Sequence, residues 1–264
     1  MEKVKLKDIK LFCLDMDGTI YLDDMLFDNV KETIEKLRKD SKIVFLTNNS
    51  SKSIKTYIEK LAKLGINISE DEMYSSGMAT CEYLNKHHKN KSVYLVGTDA
   101  LKKEFIEHGI VLDDQNPDIV VLGYDTTLTY QKLVRLTNFL NMGKYFIATH
   151  PDINCPAYPF SVPDVGSYLA MIELSTKRRP DIIIGKPNTI MGETIMNKFN
   201  LKANQIAMVG DRLVTDIAFG NNNNFTSILV LSGETTLDDY NNNDIKATYV
   251  FDSINDIIKN IEID

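Results

Sequence analysis

The sequence predicts an α/β protein, an open doubly wound parallel sheet with a second, large α/β domain inserted into it. Three observations carry this. Short apolar runs alternate with amphipathic stretches of helical period along the 264 residues, the pattern of βαβ units. Four of those runs stop at loops of acids, amides or lysine, where open parallel sheets place their ligand-binding groups. The alternation restarts near Lys91 and closes near Arg179. The alternation therefore falls into three sections, residues 1–84, 85–178 and 179–264.

The first strand is Leu11 to Leu14, apolar throughout and so buried. It runs into Asp15-Met16-Asp17-Gly18-Thr19. Two carboxylates this close repel each other and resist desolvation unless a divalent cation sits between them. Taken alone, the stretch is equally an Asp-rich turn. Val30, Ile34 and Leu37 then mark one face of a helix, and Lys42 to Leu46 a second buried strand. That strand ends in Thr47-Asn48-Asn49-Ser50-Ser51. Ile54, Tyr57, Ile58, Leu61 and Leu64 mark the next helix, with Gly65 as its stop. Ser76 to Leu84 forms another.

The restarted pattern has strands at Ser92–Val96, Ile119–Gly123 and Tyr145–Ala148, and helices through Ala100–His108 and Tyr130–Asn141. A Pro-rich loop follows, with Pro151, Pro156, Pro159 and Pro163. A structureless stretch of this length in a compact protein is usually functional. A helix at Val165–Ser175 completes the insert. The last section has strands at Ile182–Ile184, Gln205–Val209, Phe225–Leu231 and Ala247–Phe251, and helices at Thr189–Phe199 and Ile254–Ile261. The first of these strands leads to Gly185-Lys186-Pro187-Asn188, and the second to Gly210-Asp211-Arg212 and on to Asp216.

A formal net charge of −7 argues against a nucleic-acid or anionic-membrane surface. Local cations would still admit a small phosphorylated molecule. Cys13, Cys81 and Cys155 are odd in number and widely spaced, so neither a disulfide framework nor a zinc knuckle is expected. This and the charged N-terminus, without a signal-peptide pattern, fit a cytoplasmic protein. No run approaches a membrane span. His87 and His88 have no partner at metal spacing and are read as surface.

Gathered at one sheet edge, the four strand ends supply what phosphoryl transfer needs: an oxygen nucleophile, cation ligands and donors to the phosphate oxygens. Asp15 suits the nucleophile. Asp15 and Asp211 suit direct ligation of Mg²⁺, with Asp216 ligating or orienting a water. The Thr47 hydroxyl and the backbone N–H groups that follow suit a dianion, and Lys186 supplies a fixed positive charge. Read singly, Thr47 could be a helix cap, Lys186 a surface lysine and Asp211 a turn acid.

Asp15-Met16-Asp17-Gly18-Thr19 resembles the first motif, D-x-D-G-T, of the haloacid dehalogenase (HAD) superfamily of aspartate-nucleophile phosphatases. Thr47 resembles its second motif, Lys186 its third, and Gly210 to Asp216 its fourth. FLTNNSS (Phe45 to Ser51), ATHPD (Ala148 to Asp152), GKPN (Gly185 to Asn188) and GDRLVTDI (Gly210 to Ile217) are similar to the NagD-like, para-nitrophenyl phosphatase branch. The resemblance implies a discontinuous Rossmann-like core, residues 1–84 and 179–264, with a large α/β cap, residues 85–178, inserted between the second and third motifs. It implies that Asp15 is phosphorylated and that Asp17 serves as acid and base. It further implies that Asp15, the Asp17 backbone carbonyl and Asp211 hold Mg²⁺ with Asp216 in support, and that Thr47, Asn48 and Lys186 hold the phosphate. Cap-mediated homodimers fit the branch, though no residue demands one.

Two positions depart from the branch. His150 stands where relatives commonly carry Asn, and Asp164 where small residues are common. With Asp152, they are expected in a substrate-specificity loop facing the leaving group. An acid there would disfavour a second anionic group on the substrate and favour polyols or cations. The expected activity is Mg²⁺-dependent hydrolysis of a small phosphorylated metabolite through an aspartyl phosphate. Its rivals are a phosphotransferase or mutase using the same intermediate, and a receiver-like signalling module that accepts phosphate without turnover.

Overall fold

A computed structural model describes residues 4–22, 24–157 and 159–263. In chain order they form β1 (Leu11–Leu14), β2 (Tyr21–Leu22), β3 (Met25–Leu26), α1 (Val30–Leu37), β4 (Lys42–Thr47), α2 (Ile54–Lys63), β5 (Met73–Ser75) and α3 (Ser76–His87). Next come β6 (Val93–Val96), α4 (Asp99–Glu107), β7 (Ile119–Leu122), α5 (Tyr130–Asn141), β8 (Tyr145–Ala148), β9 (Asn154–Cys155), β10 (Val162–Pro163) and α6 (Val165–Thr176). The chain closes with β11 (Ile182–Ile183), α7 (Thr189–Phe199), β12 (Ile206–Gly210), α8 (Ala218–Asn222), β13 (Thr226–Val230), α9 (Leu237–Asn241), β14 (Tyr249–Phe251) and α10 (Asp256–Ile263). Apart from the short antiparallel pairs β2–β3 and β9–β10, helices alternate with parallel strands, as the sequence predicts.

Two compact units result. The first comprises Met1–Thr47, Ile54–Tyr74 and Lys186–Asp264; the second comprises Asn48–Ser53 and Ser75–Gly185. The whole of α3 lies in the second, whereas the sequence places a boundary at 84/85, inside that helix.

The first unit is built on a six-stranded sheet of order β14-β13-β12-β1-β4-β5. β1 lies between β12 and β4, parallel to both, with Leu14 opposite Val209 and Phe45. The strand order reverses beside β1, which makes its carboxyl end the place where such sheets bind ligands. β1, β12 and β13 are buried along their whole length, because helices cover both faces of the sheet. α1 follows its periodicity, burying Val30, Ile34 and Leu37. Phe12, Leu14, Phe45, Val209 and Ile228 form the centre of this core.

The second unit carries a four-stranded sheet of order β11-β8-β7-β6, parallel in every pairing. Its core contains Val96, Val120, Leu122, Phe146 and Ala148 from the strands, with Leu136 and Phe139 from α5 and Ile172 from α6. Thr98 and Thr129 cap α4 and α5 by accepting the N–H of Leu101 and Lys132. Asp164, expected in the specificity loop, caps α6 by accepting the Val165 N–H.

α4 also buries a carboxylate. Glu104 is 7% exposed and packs over the first turn of α3, where Gly77 leaves room for it. Burial, and then the charge of Glu107, pushes its carboxyl from an ordinary 4.5 up to about 7. The folded state thus holds this proton more tightly than the unfolded chain. The resulting stability is fully present below about pH 4.5 and is lost as pH rises through about 7. The positive end of α3 favours the charged form, so the loss is roughly 3 kcal/mol at most. Urea unfolding of Glu104→Gln should show a second unit more stable than wild type at pH 8 and a flatter pH dependence. Equal slopes for the two proteins would refute this account.

Candidate active site

In the first unit the loops after β1 and β12 meet beside the end of β4, at the carboxyl edge of the sheet. The Asp15 N–H donates to the carbonyl of Val209 at 2.9 Å, so the β1–β12 ladder itself sets where the Asp15 side chain begins. Lys186, in the loop before α7, is 2% exposed. Its Nζ donates to Asp15 Oδ1 at 2.6 Å and to Asp216 Oδ1 at 2.7 Å. Asp216 sits on a π-helical turn, Leu213–Ile217, that follows β12. Such turns are rare and recur at functional sites. This one brings Asp216 Oδ2 back to accept the Arg212 N–H at 3.2 Å.

Asp211 completes the group. Its Oδ2 accepts the Glu234 N–H at 2.7 Å. Oδ1 is buried and has no hydrogen-bond partner among the described residues. Two glycines make room for this carboxylate. A Cβ on Gly18, whose φ is +83°, or on Gly233 would collide with it. Gly18 therefore serves two needs, a left-handed backbone and the close approach of Asp211. Its carbonyl also accepts the Ser232 hydroxyl at 2.8 Å. Ser232 and Gly233 lie just past the predicted strand Phe225–Leu231, and the need for a small residue at Gly233 comes from Asp211, which only the fold brings beside it.

One ligand oxygen from each of Asp15, Asp211 and Asp216 lies within 4.8 Å of the others. Two of these carboxylates, Asp15 and Asp216, share the Lys186 ammonium, and Arg212 is the cation that acts on Asp211. Burial, and then the charge of Asp216, raises the Asp15 carboxyl well above the usual range; the same two causes push Asp211 up to about 7. Burial favours loss of the Lys186 proton, but Asp15 and Asp216 outweigh it and raise the ammonium above its ordinary value. The excess of carboxylates and the unpartnered Asp211 Oδ1 fit a divalent cation with oxygen ligands.

Asp17 points elsewhere. Its side chain is 58% exposed, with Lys60 Nζ at 4.0 Å and the Tyr21 hydroxyl at 3.4 Å. Lys60 lies over the Tyr21 ring, 3.9 Å from its centroid. The Asp17 carboxylate therefore stays accessible to solvent. Thr47 is the last residue of β4 and is buried.

Asn48, the next residue, belongs to the second unit, where its amide nitrogen lies 3.0 and 3.2 Å from the two carboxylate oxygens of Asp152. His150 and Asp164 are there too, and both are buried. His150 Nε2 lies 3.0 Å from Asp164 Oδ1. His150, Asp152 and Asp164 each bring a ligand atom within 4.8 Å of the others, but these groups are already paired within the protein.

The chain matches a family model for haloacid dehalogenase-like hydrolases over residues 12–111 and a second, HAD-hydrolase-like, over residues 183–257. It is 33% identical over 259 residues to an acid sugar phosphatase of Staphylococcus aureus, covering 97% of this chain and all of that protein. Among solved structures, a 4-nitrophenylphosphatase from Thermotoga maritima superposes with a TM-score of 0.93 at 46% identity, over 96% of this chain and 98% of that one. NagD from E. coli K-12 superposes with a TM-score of 0.87 at 29% identity, over 94% and 97%. Among the described residues no helix is long and apolar enough to cross a membrane. The chain belongs to the haloacid dehalogenase-like hydrolase family, and these end-to-end relatives include named phosphatases.

Proposed function

We propose that this protein is a Mg²⁺-dependent phosphomonoesterase that hydrolyses small phosphate esters, sugar phosphates among them, through an aspartyl phosphate on Asp15. The observation that carries the reading is the cluster of Asp15, Asp211 and Asp216 around Lys186, with Asp211 Oδ1 buried and unpartnered. The acid sugar phosphatase of S. aureus supports a sugar-phosphate substrate. The first unit is the catalytic core and the second a cap that selects the leaving group, the sequence division at 84/85 and 178/179 being its coarse outline.

Asp15, Asp211 and the backbone carbonyl of Asp17 would hold Mg²⁺, with Asp216 behind them. Bound there, the ion neutralises phosphate charge and lets the nucleophile approach a dianion. Lys186 holds Asp15 in a fixed orientation through a charge-assisted bond. The Asp15 carboxylate attacks phosphorus, the ester P–O bond breaks, and Asp17 gives its proton to the departing oxygen. Asp17 then takes a proton from water, whose oxygen attacks the aspartyl phosphate and frees Asp15 and inorganic phosphate. Thr47 and the Asn48 N–H hold the phosphate oxygens. Leaving-group selection falls to exposed residues of the Pro-rich loop, such as Ile153 and Phe160, because His150 and Asp164 are buried.

Purified protein should turn over p-nitrophenyl phosphate with Mg²⁺ and lose that activity in EDTA, with recovery on adding the ion back. Turnover unaffected by EDTA would sink the metal dependence. Delivery of phosphate to an added sugar in preference to water would replace hydrolysis by transfer.

A further inference from the structure

The residues expected to read the leaving group are instead built into a clamp on the segment that follows β4. Asn48–Ser53 belongs to the second unit, and side chains of that unit hold it at successive positions. The Ser76 hydroxyl donates to the Asn48 carbonyl. The Asp152 carboxylate takes the Asn48 amide, 3.0 and 3.2 Å away. The Ser50 hydroxyl accepts the Tyr124 N–H at 3.0 Å and lies 3.2 Å from Thr149 Oγ1. The Thr98 hydroxyl donates to the Ser51 carbonyl at 2.9 Å. Gly185 packs against Asn48 Oδ1, the Thr149 carbonyl and His150 Cβ, with no room for a side chain of its own.

His150 closes the clamp. Its ring is fully buried. Nδ1 lies 2.9 Å from Thr149 Oγ1 and 3.4 Å from Ser76 Oγ, and Nε2 lies 3.0 Å from Asp164 Oδ1. The Ser76 hydrogen is given to Asn48, so that hydroxyl has none for Nδ1. One assignment satisfies every link with one hydrogen each. The Tyr124 N–H donates to Ser50, Ser50 to Thr149, Thr149 to His150 Nδ1, and His150 Nε2–H to Asp164. Asp164 Oδ1 also takes the Val165 N–H at 2.6 Å, which ties the chain of bonds to the start of α6. A ring buried and bonded at both nitrogens leaves no atom to read a leaving group.

We propose that His150, Asp164 and Asp152 are positioning residues that fix Asn48, the residue bonded to Thr47, for contact with the substrate's phosphate and do not touch the leaving group. This rests on the proposed phosphate-binding role of the chain at the end of β4. His150 and Asp164 act together. Each is a buried polar group that the other helps to satisfy. Asp152 acts directly on the Asn48 amide.

The test compares two esters of unlike leaving group, p-nitrophenyl phosphate and a hexose phosphate, with inhibition by inorganic phosphate, in Asp152→Ala, Asp152→Asn, His150→Ala and His150→Gln. Asp152→Ala should lower kcat/KM by about 10–100-fold, the scale of a misplaced binding group. The factor should be the same for both esters, and the Ki of inorganic phosphate should rise with it. His150→Ala should act in the same sense. Asp152→Asn keeps an acceptor and His150→Gln keeps an N–H near Asp164, so both should recover most of the loss. Melting temperatures of all four separate a misplaced segment from an unfolded one.

A loss confined to one ester with the phosphate Ki unchanged overturns the proposal, because it marks direct contact with the leaving group. Unchanged kinetics in Asp152→Ala overturn it as well. Calorimetric binding of inorganic phosphate, with Mg²⁺ present, reads the same clamp without turnover. If wild type hydrolyses neither ester, the phosphomonoesterase reading fails, while weakened phosphate binding in Asp152→Ala still supports the clamp and unchanged binding overturns it.

Discussion

Replacing Asp15 by Asn is expected to lower kcat/KM for p-nitrophenyl phosphate by on the order of 10⁴-fold or more, the scale for losing a covalent nucleophile. The folded protein should survive. Asn has the shape of Asp, its Oδ1 can still accept from Lys186, and Asp216 keeps the second of that lysine's two short bonds. Stability should hold or rise without ligand, since burial and the charge of Asp216 make an ionised Asp15 unfavourable in the folded state. An inactive variant that melts no lower than wild type would show a site built at the expense of stability. Asp17→Asn offers a contrast. Its loss should be larger for an alkyl phosphate than for the nitrophenyl ester, whose leaving oxygen needs a proton less. Steady-state kinetics on both esters, with thermal melts of each protein, decide the matter. Turnover by Asp15→Asn within tenfold of wild type would remove Asp15 as the nucleophile.

The acidic loop after β1 was legible because an apolar strand ending in two carboxylates is chemically costly wherever it occurs. Lys186, Asp211 and Asp216 were legible for the same reason, each lying just beyond an apolar run. Their convergence needed only the topological rule that parallel strands end at one edge. The paired strands Tyr21–Leu22 and Met25–Leu26 and the strand Met73–Ser75 escaped because two or three residues are too few to show a period. The π-helical turn at Leu213–Ile217 escaped because its hydrogen bonds leave no mark on residue pattern. Membership of Asn48–Ser53 in the second unit escaped for a different reason. Polar residues beside a strand end look like part of the site, and tertiary partners such as Asp152, Ser76 and Thr98 show that they are gripped. The burial of His150 and Asp164 was hidden in the same way. In a Pro-rich loop, a histidine and an acid suggest solvent, yet each removes the other's need for it.

Lys186→Met should be the most damaging single change to the first unit, because it strikes stability and chemistry together. The ammonium is buried and bonded to two carboxylates at 2.6 and 2.7 Å. Methionine fills much the same volume, so packing is largely kept and the loss is electrostatic. Removing one partner of a buried ion pair leaves uncompensated charge and costs roughly 3–5 kcal/mol, which in a chain of this size lowers the melting temperature by on the order of 10 °C. Proton uptake by the stranded carboxylates relieves part of this, and for catalysis that relief is harmful, since a protonated Asp15 is no nucleophile. Activity should therefore fall by about 10²–10³-fold, the scale for losing a preorganised charge at a reacting group. Added Mg²⁺ should restore part of the stability, by neutralising the same acids, but little of the activity, because the ion does not replace the bond that orients Asp15. Melting curves and nitrophenyl phosphate turnover across a Mg²⁺ series separate the two effects. Full recovery of turnover at high Mg²⁺ would show that Lys186 acts only as a countercharge, and unchanged stability in the variant would show that the buried pair carries no weight in the fold.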